Sequence, residues 1–210
     1  MIDATLPPNP PPGRAAMNLP HYFAGALIAA LSAGAWAQRQ VEVLPQPAGF
    51  LCCNMHTDGK WISDINYVEN APAIVPLGTP AQVTGYGRHR VQVQLGGKPQ
   101  TLGNDYSRTL KPEDFARRYV VPEDPLVKLA SMPAEMRNAI LAGHIRRGMS
   151  REQVAMAVGY PITSENPRLD AASWRYWRSM SDEFQVLWNA QGLVAEVVGE
   201  VLAKRAVFEE

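Results

Sequence analysis

The side chains with the most reactive chemistry fall close together: Cys52 and Cys53 are neighbours in the run GFLCCNM, His56 follows, and then Asp58 and Asp64, with His89, Asp105 and His144 further along. A zinc site would need further Cys or His ligands at a recognisable spacing, and no second pair follows His56. A cysteine nucleophile would need an ordered histidine partner, and no motif places His89 or His144 in that role. The aspartates sit in turn-like contexts, where the carboxylate normally bonds its own backbone. The expectation is therefore no catalytic residue, no metal and no cofactor. Neighbouring cysteines on a strand point to opposite faces. A bond between them closes no loop of chain and gains little entropic stabilisation. The expectation is two reduced thiols, one of them packed in a core.

Binding chemistry is better represented. Trp174, Arg175, Tyr176, Trp177 and Arg178 are consecutive, and Trp188 follows. Aromatic and arginine side chains dominate the energetics of protein interfaces. On a strand, alternation sends Trp174 and Tyr176 to one face and Trp177 to the other. One face must cover helices, so the aromatic surface left outside, flanked by Arg175 and Arg178, is a candidate partner-binding site. The opposing expectation is that the extra tryptophan is covered by a connector helix or by the C-terminal run EVLAKRAVF. Stacking on a glycan would use the same face. Tyr86, Arg88, His89 and Arg90 are read as a solvated hairpin tip rather than a ligand loop.

The elements that must position these residues follow from pattern. With 210 residues, 46% of them hydrophobic, the chain has room for one or two compact units. Lys and Arg total 20 against 20 Asp and Glu, for a formal net charge of +0. That balance argues against a nucleic-acid partner, because phosphate affinity comes from clustered basic charge. Residues 1–16 are Pro-rich and read as a disordered leader or an upstream extension before a second start at Met17. Residues 17–37 read as a signal peptide: Tyr22 to Ala37 carry no formal charge, and Ala35 and Ala37 give a small-x-small cleavage site around Trp36. The apolar run is shorter than the roughly 20 residues that span a bilayer, so no integral membrane span is expected after processing. An uncleaved anchor is the rival reading. Gly49, Phe50 and Leu51 before Cys52 do not form a lipobox.

Residues 45–110 read as short strands and turns, with Asp58-Gly59 and Gly96-Gly97 as turns and Val91, Val93 and Leu95 alternating with glutamines. Residues 111–139 read as a helical connector, with Pro112 and Pro133 at helix starts and Pro122 and Pro125 as breaks. In 146–161 Ser150 and Gln153 form a capping box, Met149 staples onto Val154, and Gly159 and Pro161 end the helix. Three strand-like runs follow, the last two joined through Asn189 to Gly192 as a hairpin, and residues 199–210 are expected as a C-terminal tail.

Two resemblances attach to these motifs. The run IVPLGTPAQVTGYGRHRVQVQLGGK, residues 74–98, is similar to bacterial SH3-like domains. The runs GMSREQVAMAVGYP, WRYW and FQVLWNAQGLV, in that order, resemble the BamE (SmpA/OmlA) domain family over residues 140–198. The second resemblance implies two helices packed on a three-stranded antiparallel sheet, a fold also found in proteinaceous β-lactamase inhibitors, and a binding or scaffolding role in outer-membrane protein assembly, with no catalytic residues carried over. This chain differs in having a β module ahead of the domain and no lipobox. The expectation is an α+β protein: a small SH3-like β module, a helical connector, and a BamE-like two-helix, three-stranded module. Its expected role is that of an exported, non-enzymatic envelope protein, periplasmic or associated with the outer membrane, that binds envelope proteins or the cell wall. The alternatives are a secreted inhibitor of a hydrolase and a small cell-wall hydrolase.

Overall fold

The computed structural model describes residues 46–68 and 71–209. The leader and signal peptide expected over residues 1–37 lie outside them. The first half is built of β1 (Ala48–Leu51), β2 (Met55–Thr57), β3 (Trp61–Ser63), β4 (Ala73–Val75), β5 (Pro80–Gly87), β6 (Arg90–Leu95) and β7 (Lys98–Gly103). In β6, Val91, Val93 and Leu95 are buried while the intervening glutamines are half-buried, the period-two signature of a sheet with one face on a core. The turn at Asp58 is closed as expected, the carboxylate accepting from the Lys60 and Trp61 amides at 2.8 Å each.

The chain continues through α1 (Pro112–Tyr119), β8 (Val120–Val121), α2 (Pro125–Ala130) and α3 (Ala134–Ala142). Segment 111–139 divides between two cores. Pro112 opens α1 with acidic residues in the first turn and Arg117 and Arg118 in the last, matching the helix dipole. Its apolar stripe, Phe115, Ala116 and Tyr119, closes on the first sheet. Next, β8 returns to pair with β1, completing a six-stranded sheet of order β3-β7-β6-β5-β1-β8, antiparallel throughout except at β3 and β7. Strands β2 and β4 pair separately. Gly49 permits the close approach of β1 to β8: its φ is +153° and a Cβ there would overlap the Val121 carbonyl oxygen. Pro125 begins a short helix rather than marking a break, capped by Asp124, and Leu129 of α2 with Ala139 and Ile140 of α3 enters the second core.

That second core is completed by β9 (Ile145–Arg146), α4 (Arg151–Val158), β10 (Ser173–Trp177), β11 (Glu183–Trp188), β12 (Val194–Gly199), α5 (Val201–Val207) and β13 (Phe208–Glu209). The Ser150–Gln153 capping box is formed in both directions, the Gln153 amide donating to Ser150 Oγ at 3.3 Å and the Ser150 amide to Gln153 Oε1 at 2.7 Å. Met149 and Val154 are fully buried in the same cluster. The three strands make an antiparallel meander in the order β10-β11-β12. Within the tail expected over 199–210, residues 199–209 are instead part of the fold. Ala203 and Val207, one helical turn apart, and Phe208 all enter the core, and β13 pairs in parallel with β9.

Two amides bolt the cores together, and residues 46–68 and 71–209 lie in one compact unit. Asn54, 6% exposed, donates through Nδ2 to the Ile140 carbonyl at 2.7 Å and the Ala157 carbonyl at 3.3 Å, and its Oδ1 accepts from the Leu77 amide at 3.0 Å. Asn66 donates to the Val158 carbonyl at 2.9 Å and accepts from the His56 amide at 2.7 Å. The cysteines beside this junction depart from expectation. Cys52 and Cys53 are bonded to each other, and both are buried. The strand alternation that would separate them does not apply, because β1 ends at Leu51 and the chain bends at Cys53.

Candidate functional site

The meander divides the aromatic cluster between its two faces. Trp174, Tyr176 and Trp188 point inward at 1%, 6% and 9% exposure. Trp174 meets Trp188 edge-on at 4.9 Å between ring centroids, and Tyr176 stacks on Phe184 at 5.1 Å. The Tyr176 hydroxyl donates to the Gly159 carbonyl at 3.1 Å, and burial raises its pKa well above the ordinary phenol value. These three residues are core, held against α3 and α4, and the structure does not bring them to a binding surface. Arg151 lies over the Trp188 ring at 4.7 Å.

Arg175 and Trp177 take the opposite face. Arg175 is exposed and bridges Glu165 at 3.5 Å and Glu183 at 3.6 Å. The Trp177 indole donates to Glu165 at 2.9 Å, and the residue stays partly exposed. Register sets Arg175 opposite Gln185 and Gln185 opposite Val198, and sets Leu187 opposite Glu196. Same-face neighbours of a sheet stand about 5 Å apart. The outer face thus presents partly exposed Trp177, Leu187 and Val198 beside the Arg175–Glu183 ion pair.

At the end of β10 the chain meets the first module. The Val68 amide donates to the Arg178 carbonyl at 3.2 Å, and the Arg178 amide to the Asp182 carbonyl at 2.8 Å. Beneath lies a cavity of about 210 Å³ whose wall draws on both cores: His56, Val68 and Ile74 from one side, Tyr176, Phe184 and Val207 from the other, with Trp177 and Arg178 at β10. Burial lowers the His56 pKa, against the raising effect of its bond to the Ala71 carbonyl, with Arg178 lowering it further. The sequence offers Trp177 and Arg178 only as part of a partner-binding sheet face; His56, Val68 and Ile74, which share this wall, lie more than 100 positions away, and no local motif signals them. A second cavity, about 240 Å³, is lined by Cys52, Tyr160 and Met156, with the Lys128–Glu152 ion pair at 2.7 Å among its residues.

Among the described residues, Asp64 is the most strongly perturbed carboxyl. It is 2% exposed, its Oδ2 accepts from the Tyr106 amide at 3.0 Å, and its Oδ1 has no partner. Burial pushes it up from 3.8 to about 6, against the lowering effect of the Ser107 hydroxyl and of the Tyr106 and Ser107 amides. The folded state therefore holds this proton more tightly than the unfolded chain, so its contribution to stability falls as pH rises from about 4 to about 6 and is flat above. Two pKa units correspond to about 3 kcal/mol. His56 acts with the opposite sign, its lowered pKa favouring stability as pH rises toward 6.5. The two are separated by comparing wild type with Asp64→Asn. The stability difference between them, measured by urea unfolding at pH 4 and pH 7, is expected to shift by about 2–3 kcal/mol in favour of the variant at pH 7. An unchanged difference would place the titration elsewhere. Asp105, by contrast, is tied to Arg90 at 2.8 Å and Arg108 at 3.7 Å.

No group of three or more His, Cys, Asp or Glu among the described residues is placed to hold a metal ion, and no described helix is long and apolar enough to cross a membrane. No protein-family model, curated protein or solved structure matches the chain.

Proposed function

We propose that this chain is an exported, non-enzymatic protein of the cell envelope in which an SH3-like module and a BamE-like module form one binding unit, with a protein partner docking on the outer face of the β10–β12 sheet. The observation that carries this reading is the separation of the aromatic cluster. Three rings are committed to the core, while Trp177 shares a partly exposed face with Arg175, Leu187 and Val198. Arg175 and its carboxylates Glu165 and Glu183 are arranged in a short ladder at the edge of that face, which suits a partner whose contact patch is apolar at the centre and mixed in charge at the rim. Helices α3 and α4 precede the meander, as the BamE resemblance implies, and this chain adds α2 ahead of them, α5 after the meander and the β9–β13 pair.

The reading is tested by affinity capture from chemically crosslinked envelopes with wild type and Trp177→Ala. Wild type is expected to recover components of the β-barrel assembly machinery, and the variant to lose at least tenfold of that recovery. Recovery of one soluble hydrolase in their place would favour an inhibitor role, and equal recovery by both proteins would mean that the partner does not dock on the sheet face.

A further inference from the structure

The cavity under Arg178 has a chemistry of its own, independent of the partner-binding reading. Its wall mixes apolar side chains, among them Ile65, Val68, Ile74, Val158, Phe184 and Val207, with a few polar ones, of which His56 is engaged through Nδ1 with the Ala71 carbonyl at 3.2 Å. The amides that reach it, Asn54 and Asn66, already have hydrogen-bond partners on both their donor and acceptor sides. Arg178 differs. Its backbone is pinned on both sides, yet among the described residues its guanidinium has no carboxylate within ion-pair distance, whereas Arg175 three residues earlier has two. A guanidinium with no carboxylate partner among the described residues, at the wall of a chamber with a large apolar share, complements a ligand with an apolar body and an anionic end. Ile74 is 51% exposed at the same wall, an apolar side chain with little of its own chain to cover it.

We infer that this cavity binds an amphipathic carboxylate, the apolar tail lying between the two cores and the carboxylate pairing with Arg178. At the roughly 30 Å³ that a water molecule occupies in the liquid, a volume of about 210 Å³ accommodates a tail of about seven non-hydrogen atoms. Octanoate matches this, with seven carbons beyond its carboxyl carbon. The same chemistry is presented by a free acyl chain and by the apolar C-terminal residue of a polypeptide.

The test is a methyl and amide NMR titration of the full-length chain with octanoate, octan-1-ol and N-acetylphenylalanine. Octanoate is expected to give saturable shifts at Val68, Ile74 and Val207 with a Kd of about 0.1–1 mM, the range that ligand size allows. Octan-1-ol, equally apolar but uncharged, is expected to bind at least tenfold more weakly. Arg178→Gln should remove that preference while leaving octan-1-ol binding unchanged, and Arg178→Lys should restore part of it. Tighter binding of N-acetylphenylalanine than of octanoate identifies a chain terminus as the source, and the reverse identifies an acyl chain. No saturable shift with either carboxylate, or equal affinity for octanoate and octan-1-ol on the wild-type chain, overturns the inference. The second comparison needs no variant, and neither outcome bears on capture through the outer sheet face.

Discussion

Replacing Trp174 by alanine is expected to destabilise the protein by about 3–5 kcal/mol, the range for deleting a buried aromatic side chain. The ring is 1% exposed, packs edge-on against Trp188 and Tyr176, and donates its indole N–H to the Leu169 carbonyl at 3.1 Å. Removing it opens a cavity at the centre of the second core and leaves a carbonyl without its donor. Trp177→Ala, on the same strand, is expected to cost about 1 kcal/mol or less, because the ring is partly exposed and loses one hydrogen bond to a carboxylate. Urea denaturation of both variants measures the contrast. Equal losses would mean that the two faces of the sheet are not divided between core and surface.

The second large effect is expected at Asn54. Its side chain serves two carbonyls of the second module and one amide of the first, all at a site 6% exposed. Asn54→Ala leaves the Leu77 amide without its acceptor and takes a donor from the Ile140 and Ala157 carbonyls. At about 1–3 kcal/mol for each buried polar group left unmade, a loss of about 3 kcal/mol is expected. The unfolding transition should also change character. Wild type is expected to unfold in one step, and the variant to show the two cores separating, seen as non-coincident transitions by tryptophan fluorescence and far-UV circular dichroism. Coincident transitions with a small loss would show that apolar contacts, not this amide, join the halves.

The features legible in sequence were those set by neighbours along the chain. The Ser150–Gln153 cap, the Asp58 turn and the alternation of β6 and β10 each depend on residues within a few positions, so their pattern carries the structure. The coarse α+β architecture follows from summing such signals. Three features escaped because they depend on distant chain. The burial of α1 against the first sheet is decided by where β8 pairs, which two residues of strand cannot announce. The C-terminal segment 199–210 looked like a tail because α5 is only 7 residues long and its buried positions are small or β-branched. The cysteines were assigned to a strand, and the bend at Cys53 that brings them together is not written in any turn residue. At the candidate site the strand period correctly separated Trp177 from Trp174 and Tyr176, but not the burial of Trp188, nor the contribution of His56, Val68 and Ile74 to the wall beneath Arg178.

Docking of a partner on the outer face of the meander is the core of the proposed function. Its most direct test is site-specific photo-crosslinking in living cells, with a benzophenone amino acid placed at Trp177 or, as a control, at exposed Gln82 of β5. A discrete crosslinked envelope protein is expected from position 177 and none from position 82. A chain that crosslinks from neither position, or equally from both, would contradict it.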